Sequence, residues 1–146
     1  MSAETRFREL ADAEQVSVEG LFEYYDALPA TSVPFMLGDW EGGVFRTGHE
    51  GETQLLAFRW VGKRFHHQDD VDPIVVRNQQ GEREVSPLMG KASLRLVSHR
   101  GVVTATMVYD KHPIFDHFRQ IKDDLVLGLM DRKGDAFPLF FWLRRL

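Results

Sequence analysis

The second half of the chain alternates between apolar and polar positions, and this period of two predicts β-strands. The two clearest runs, Ala92–His99 and Val102–Tyr109, flank the dipeptide Arg100-Gly101. Two alternating runs around a short glycine turn are typical of a β-hairpin. Apolar runs at residues 125–131 and 137–145 predict two more strands, which are separated by a Gly-containing turn. The second half is therefore expected to form consecutive antiparallel strands.

The pattern of the first half of the chain predicts one or two helices, followed by the first strand of the sheet. Residues 1–17 are polar and lack a clear period, so we expect a loose N-terminal arm or a short helix. Residues 18–28 carry apolar side chains at helical spacing and precede Pro29, which predicts a helix over one mouth of the sheet, as a lid or as permanent packing. Residues 40–47 predict the first strand. Residues 53–61 fit a second short helix or a strand equally well.

These elements predict one mainly β domain, residues 1–146, with a small antiparallel up-and-down β-barrel over residues 38–146. About seven strands follow one another without a βαβ rhythm. A sequential antiparallel sheet most simply closes on itself, because closure removes exposed edges. Seven or eight strands leave an interior that holds side chains or one small ligand.

Composition narrows the classes of function. The chain has 43% hydrophobic residues and no cysteine, which excludes disulfides, thiolate zinc sites and cysteine nucleophiles. Its net charge of −4 argues against a nucleic-acid partner. The first ten residues lack a secretory pattern, so we expect a cytoplasmic protein, as a monomer or a homodimer and without a cofactor.

The first predicted strand opens with the motif Gly38-Asp39-Trp40-Glu41-Gly42. A glycine two residues before a tryptophan resembles the opening of lipocalin-like (calycin) barrels. That resemblance implies that Trp40 closes one end of the barrel and that an arginine of the last strand, Arg144 or its neighbour Arg145, packs across the indole. We assign Trp40 and Arg144 as this structural plug.

The same motif, written Gly-x-Trp-x-Gly, is followed by Trp60-Val61-Gly62-Lys63-Arg64-Phe65, and together they resemble the GXWXG-domain family. Residues 90–92, 100–110, 113–119 and 128–131 resemble the companion domain of unknown function of that family. The family often has tyrosine where this chain has Val61, which removes a stacking role at that position. The resemblance implies a fold like that of lipid-binding barrels and the binding of lipid-like anionic molecules.

The leading hypothesis is therefore a non-enzymatic protein that binds an amphiphilic anion, such as a fatty acid, a phospholipid or a phosphoinositide-like molecule, either free or at a membrane surface. Arginine and lysine bind carboxylate and phosphate groups, although a pair such as Lys63-Arg64 is as often simply solvated. The expected charge partners are Lys63, Arg64, Arg95 and Arg119. The expected interior wall for the apolar tail consists of Leu94, Leu96, Met107, Tyr109, Leu127, Leu129 and Phe141.

Two alternatives stay open. The segment 109–119 contains Asp110, His112, Asp116 and His117, which supply the residue types of an isomerase or a hydrolase. A barrel with a filled core would instead serve as an interaction module. We predict no metal site, because His66 and His67 are adjacent on a strand and point to opposite faces, and no histidine spacing matches a zinc signature.

Overall fold

The structure is a computed structural model that describes residues 1–146. It contains four helices and nine strands. The helices are α1 (Ala3–Asp12), α2 (Val18–Ala27), α3 (Val33–Met36) and α4 (Glu50–Ala57). The strands are β1 (Gly38–Val44), β2 (Trp60–His67), β3 (Asp70–Arg77), β4 (Arg83–Val85), β5 (Ala92–His99), β6 (Val102–Tyr109), β7 (Ile114–Lys122), β8 (Leu125–Arg132) and β9 (Leu139–Arg145).

Eight of the strands form a closed antiparallel barrel, which confirms the predicted fold class. The sheet order is β2-β1-β9-β8-β7-β6-β5-β3-β4, and the additional pairing of β2 with β3 closes the ring. The short strand β4 pairs with β3 alone and lies outside the ring. The joint between β3 and β5 rests on a single registered pair, Val71 with Ala92. Helix α4 lies in the connection between β1 and β2, which are paired neighbours in the ring.

The barrel interior is filled by a core of apolar side chains that alternate along the strands. This core includes large side chains from opposite walls, and Phe118 packs edge to face with both Phe65 and Phe141 at 5.9 Å. Such aromatic pairs add to the stabilisation from buried area. The buried members of the core are Met36, Trp40, Phe65, Val71, Ala92, Leu94, Ala105, Met107, Tyr109, Ile114, Phe118, Val126, Leu139, Phe141 and Leu143.

A second apolar core lies on the outer face of β8 and β9, beneath α1 and α2. The N-terminal segment is therefore the short helix of the two alternatives, with Phe7 and Leu10 buried against the barrel wall. Helix α2 covers the same wall and not a mouth of the barrel, which corrects that expectation. Leu127 and Leu129 belong to this outer core and do not line the interior. Leu96 is 61% exposed and does not line it either.

The plug at one end of the barrel uses Arg145 and not Arg144. The Arg145 guanidinium lies 4.3 Å from the centre of the Trp40 ring and donates hydrogen bonds to the carbonyl oxygens of Leu37 and Phe35, at 2.8 and 2.5 Å. Trp40 is fully buried and donates its indole N–H to Met36. Arg144 is exposed and points to the opposite face of β9, because neighbouring residues of a strand alternate.

Two neighbouring arginines thus offer a matched test of the plug. We expect Arg145→Ala to lower the free energy of unfolding by about 2–3 kcal/mol, since it removes two hydrogen bonds from a charged donor and a cation–π contact. Arg144→Ala should cost less than about 1 kcal/mol, as an exposed substitution. Urea denaturation of both variants measures the difference. Equal losses would contradict the assignment of Arg145.

Candidate functional site

A buried ion pair between Lys63 and Asp116 lies inside the barrel. Lys63 is on β2 and Asp116 on β7, and their side chains are 4% and 2% exposed. The Lys63 Nζ lies 3.3 Å from Asp116 Oδ2 and donates a hydrogen bond to the Pro73 carbonyl oxygen at 3.1 Å. The other carboxylate oxygen, Asp116 Oδ1, has no hydrogen-bond partner. An unpartnered buried polar atom costs free energy, so this oxygen is suited to a hydrogen bond with a ligand.

Burial perturbs both members of the pair. Loss of solvation lowers the pKa of Lys63 and raises the pKa of Asp116, and in each case the partner's charge opposes the shift. Burial also raises the pKa of the neighbouring Tyr109 phenol well above its usual range. Perturbed titratable groups that meet in an apolar pocket are a recognised mark of a functional site.

Aromatic rings surround the ammonium group of Lys63. Its Nζ lies 5.3–5.8 Å from the ring centres of Trp60, Tyr109 and Phe141. The space beside the pair has a volume of about 20 Å³, which is room for one water molecule. Its walls are completed by Leu55 of α4, Met130 and Leu139. The pocket therefore combines one cation, one carboxyl group and an apolar wall.

Helix α4 covers this pocket, with Leu55 packed against the barrel core. Gly51 is the buried residue of the helix, and Leu56 is 79% exposed. A helix with so little buried apolar surface opens at low cost. Helix α4 therefore covers the pocket mainly through Leu55.

Polar contacts fix the N-terminal end of α4 to the connection between β8 and β9. His49 caps the helix by accepting a hydrogen bond from Gly51 N–H at Nδ1, so that Nε2 carries the proton and donates to Asp135 at 2.9 Å. Arg132 donates hydrogen bonds to the carboxylates of both Asp135 and Glu50. These contacts hold the start of the helix, while Leu55 lies near its C-terminal end, which leads through Phe58 and Arg59 directly into β2.

The structure places the other predicted charge partners away from this pocket. Arg64 is partly exposed and pairs with Asp39 at 3.4 Å, and Arg95 pairs with Asp69 at 2.7 Å on the surface. Arg119 is buried on the outer face of β7, where it donates to the carbonyl oxygens of Tyr25 and Leu28 and stacks on the Tyr25 ring at 4.4 Å. Its hydrogen bonds therefore satisfy carbonyl oxygens at the C-terminal end of α2, where helix carbonyls lack partners within the helix. Met107 is a core side chain.

The predicted acid–base cluster does not form a single site. Asp116 points into the barrel, while its neighbour His117 points outward, as alternation along β7 requires. Asp110 is exposed, and His112 lies in the turn after β6. The hypothesis of an enzyme that uses all four residues loses its geometric basis, since they do not line one pocket.

His117 instead meets two residues that sequence reasoning missed, His99 and Asp131. The rings of His99 and His117 stack with their centres 3.8 Å apart, and His117 Nε2 lies 3.5 Å from Asp131 Oδ2. Burial, followed by the proximity of His99, lowers the pKa of His117 to about 4, so that its imidazole is neutral at pH 7. These residues come from β5, β7 and β8, and no local motif in the sequence brings them together.

Comparison with known proteins places the chain in a family. A family model described as "GXWXG protein" matches residues 23–81, and one described as "Domain of unknown function (DUF4334)" matches residues 90–145. A solved structure, titled "Crystal structure of protein from Thermomonospora curvata", is 41% identical, with a TM-score of 0.93 over 100% of this chain and 99% of that one. The chain belongs to the GXWXG family. This identification confirms the resemblance seen in the sequence.

No curated protein matches this GXWXG protein. No helix of the structure is long and apolar enough to cross a membrane. The family assignment supports the fold, and the interior pocket is the feature that bears on the chemistry.

Proposed function

We propose that this GXWXG protein binds a small amphiphilic monocarboxylate, such as a medium-chain fatty acid, in the pocket beneath α4. The acidic group would lie between Lys63 and Asp116, and the apolar chain would replace Leu55 against the aromatic wall. The observation that carries the proposal is the buried Lys63–Asp116 pair with an unpartnered carboxylate oxygen in an apolar pocket.

Charge balance favours a monocarboxylate. Burial raises the pKa of Asp116, so the arrival of a second carboxylate favours protonation of Asp116. The protonated group would then donate a hydrogen bond to the ligand, while Lys63 supplies the one positive charge that the ligand needs. A dianion would bring more negative charge into the apolar interior than one lysine neutralises.

The size of the pocket sets a condition on binding. Because the space beside the pair is about 20 Å³, the apolar chain of a ligand enters only if α4 moves outward. Leu55→Ala should therefore open the pocket without altering its charges. We expect this variant to bind the ligand faster than the unsubstituted protein does in stopped-flow measurements.

Thermal denaturation with matched ligands tests the proposal. Saturating octanoate, at 100 times its Kd, should stabilise the protein by about 2.7 kcal/mol, which raises Tm by about 5–10 °C for a chain of this size. Octanol and octylamine share the chain and lack the anion, so they should shift Tm much less. Native mass spectrometry of the intact protein, with organic extraction of a parallel sample, would show whether the purified protein carries such a molecule.

The double variant Lys63→Met/Asp116→Leu is the decisive control, because it keeps an apolar pocket and removes both charges. In this variant, octanoate should shift Tm no more than octanol does. Arg64→Met, which changes the neighbouring outward cation, should respond like the unsubstituted protein. A protein that carries no lipid and shows no shift with any carboxylate would refute the proposal.

A further inference from the structure

The cluster of His99, His117 and Asp131 lies on the outer wall of the barrel, independent of the interior pocket. Candidate ligand atoms of the three residues all lie within 4.8 Å of one another. The cluster borders a cleft of about 180 Å³ between Phe22 of α2 and Phe137 of the connection between β8 and β9. Arg100 and Arg132 also line this cleft.

His117 is oriented like a metal ligand. Its side chain is 1% exposed, and its Nδ1 lies 3.0 Å from Thr106 Oγ1. The Thr106 hydroxyl donates to the Thr104 carbonyl oxygen at 3.1 Å, so its oxygen accepts the proton of His117 Nδ1. This tautomer leaves the lone pair of Nε2 directed toward Asp131. A metal-binding histidine usually donates its other ring N–H to an acceptor in this way, which fixes the tautomer and the ring orientation.

The Nε2 atom of His117 and the Oδ2 atom of Asp131 face each other, and no group bridges them. His117 Nε2 has no hydrogen-bond partner although it is buried, and it faces the Asp131 carboxylate at 3.5 Å. Two electron-pair donors at this distance repel each other unless a proton or a metal ion lies between them. With Zn–N and Zn–O distances of about 2.0–2.2 Å, two ligand atoms of a tetrahedral zinc site lie about 3.3–3.5 Å apart. The observed separation already matches that geometry.

We infer that His99, His117 and Asp131 bind a divalent cation of the zinc type, with a fourth coordination position open to the cleft. Two imidazoles and one carboxylate suit Zn²⁺ and Co²⁺, whereas Mg²⁺ and Ca²⁺ take oxygen ligands. Three protein ligands with one open position are typical of catalytic zinc sites. Arg100 and Arg132 would attract an anionic molecule to the open position.

Metal binding requires one local movement. The two rings are within 8° of parallel, so the lone pairs in their planes do not meet at one point. His99 must therefore turn out of the stack. Its Nδ1 has no hydrogen-bond partner, and the ring is only half-buried at the edge of the cleft, so the turn breaks no hydrogen bond at that atom. The structure thus predicts that the ion separates the two stacked rings.

Titration of tag-free protein with Co²⁺ and Zn²⁺, after chelator treatment and desalting, tests the inference. We expect one Co²⁺ per chain, with the intense visible absorption of a four-coordinate site, and its displacement by one equivalent of Zn²⁺. Histidine ring signals in NMR should shift as the stack opens. A weak absorption typical of six-coordinate Co²⁺ would overturn the inference.

Single substitutions test whether Zn²⁺ binds at this cluster and not at other histidines of the chain. Thr106→Val removes the acceptor of His117 and should weaken Zn²⁺ binding about 10–100-fold. Asp131→Asn and His99→Gln should weaken it further, and both positions are accessible enough for the variants to fold. His66→Gln is the matched control, because the carboxylates beside His66 are already paired with Lys91. Unchanged affinity in Asp131→Asn and His99→Gln, or equal loss in His66→Gln, would overturn the site.

The octanoate response gives an independent control. Asp131→Asn should keep the full shift in Tm with octanoate, since the outer cleft and the interior pocket share no residue. Loss of Zn²⁺ binding with a preserved octanoate response would support the metal site alone. In the Lys63→Met/Asp116→Leu variant we expect the opposite result, in which Zn²⁺ binding is preserved and the octanoate response is lost. That result would support a metal site that is independent of the interior pocket.

Discussion

Lys63→Met is expected to lower the free energy of unfolding by about 3–5 kcal/mol, because it leaves the buried Asp116 without its counter-charge. Asp116→Leu should cost a similar amount, because it leaves a buried ammonium group. The double variant Lys63→Met/Asp116→Leu should recover most of the stability, since well-packed apolar side chains replace a buried ion pair without a large loss. Urea denaturation at pH 7 measures all three.

The matched control is Arg64→Met, one residue along β2. Arg64 points outward and its ion pair with Asp39 is partly exposed, so we expect a change of less than about 1 kcal/mol. If the double variant loses as much free energy of unfolding as the two single variants together, Lys63 and Asp116 are not coupled. Such a result would mean that Lys63 and Asp116 stabilise the barrel through separate contacts.

The outcome also bears on function. If the double variant is as stable as the original protein, the barrel does not need the charges in order to fold. Aromatic pairs such as Phe65 with Phe118 already stabilise the interior. The pair is then best explained by a ligand that it recognises, and the unpartnered Asp116 Oδ1 marks where the protonated carboxyl group would donate a hydrogen bond to that ligand.

Local patterns were sufficient to predict the hairpin of β5 and β6. Its two strands pair from Ala92 with Tyr109 to His99 with Val102, so every partner follows from one short turn. The apolar run at residues 125–130 was harder to interpret. Leu125, Leu127 and Leu129 face the outer core, while Val126 faces the interior. A run without alternation indicates a strand that is buried on both faces, and that signal was present in the sequence.

The candidate sites were predictable in part. Lys63 and Arg64 were expected to act together, although neighbouring residues of a strand point to opposite faces. A strand over residues 60–67 places the two side chains on opposite faces, but the pattern of residues 53–61 fits a helix and a strand equally well and does not fix this. The meeting of His99, His117 and Asp131 depends on the packing of three strands, and the spacing of these residues along the chain gives no signal of it.

The glycines of the first two barrel strands explain why the motif is so specific. Gly38 has a φ of +130°, which side chains with a Cβ rarely adopt, and the Arg145 guanidinium packs against it. A Cβ at Gly42 would overlap the Trp60 ring, and one at Gly62 would overlap the carbonyl oxygen of Trp40 on the neighbouring strand. The motif therefore maintains the close contact between β1 and β2 and the wall of the pocket.

Gly62→Ala should consequently destabilise the barrel by more than about 4 kcal/mol, a loss that only a few mechanisms produce. The overlap involves the backbone of Trp40, which cannot turn aside as a flexible side chain would, so β1 and β2 must separate. Gly101→Ala is the matched control: it lies in a turn at a φ of +79° with open space around it, and its strain should cost about 1–2 kcal/mol. Chemical denaturation of both variants measures the contrast. A loss at Gly62→Ala no larger than that at Gly101→Ala would show that the contact with Trp40 relaxes easily, and the pocket wall would then tolerate a wider spacing of its first two strands.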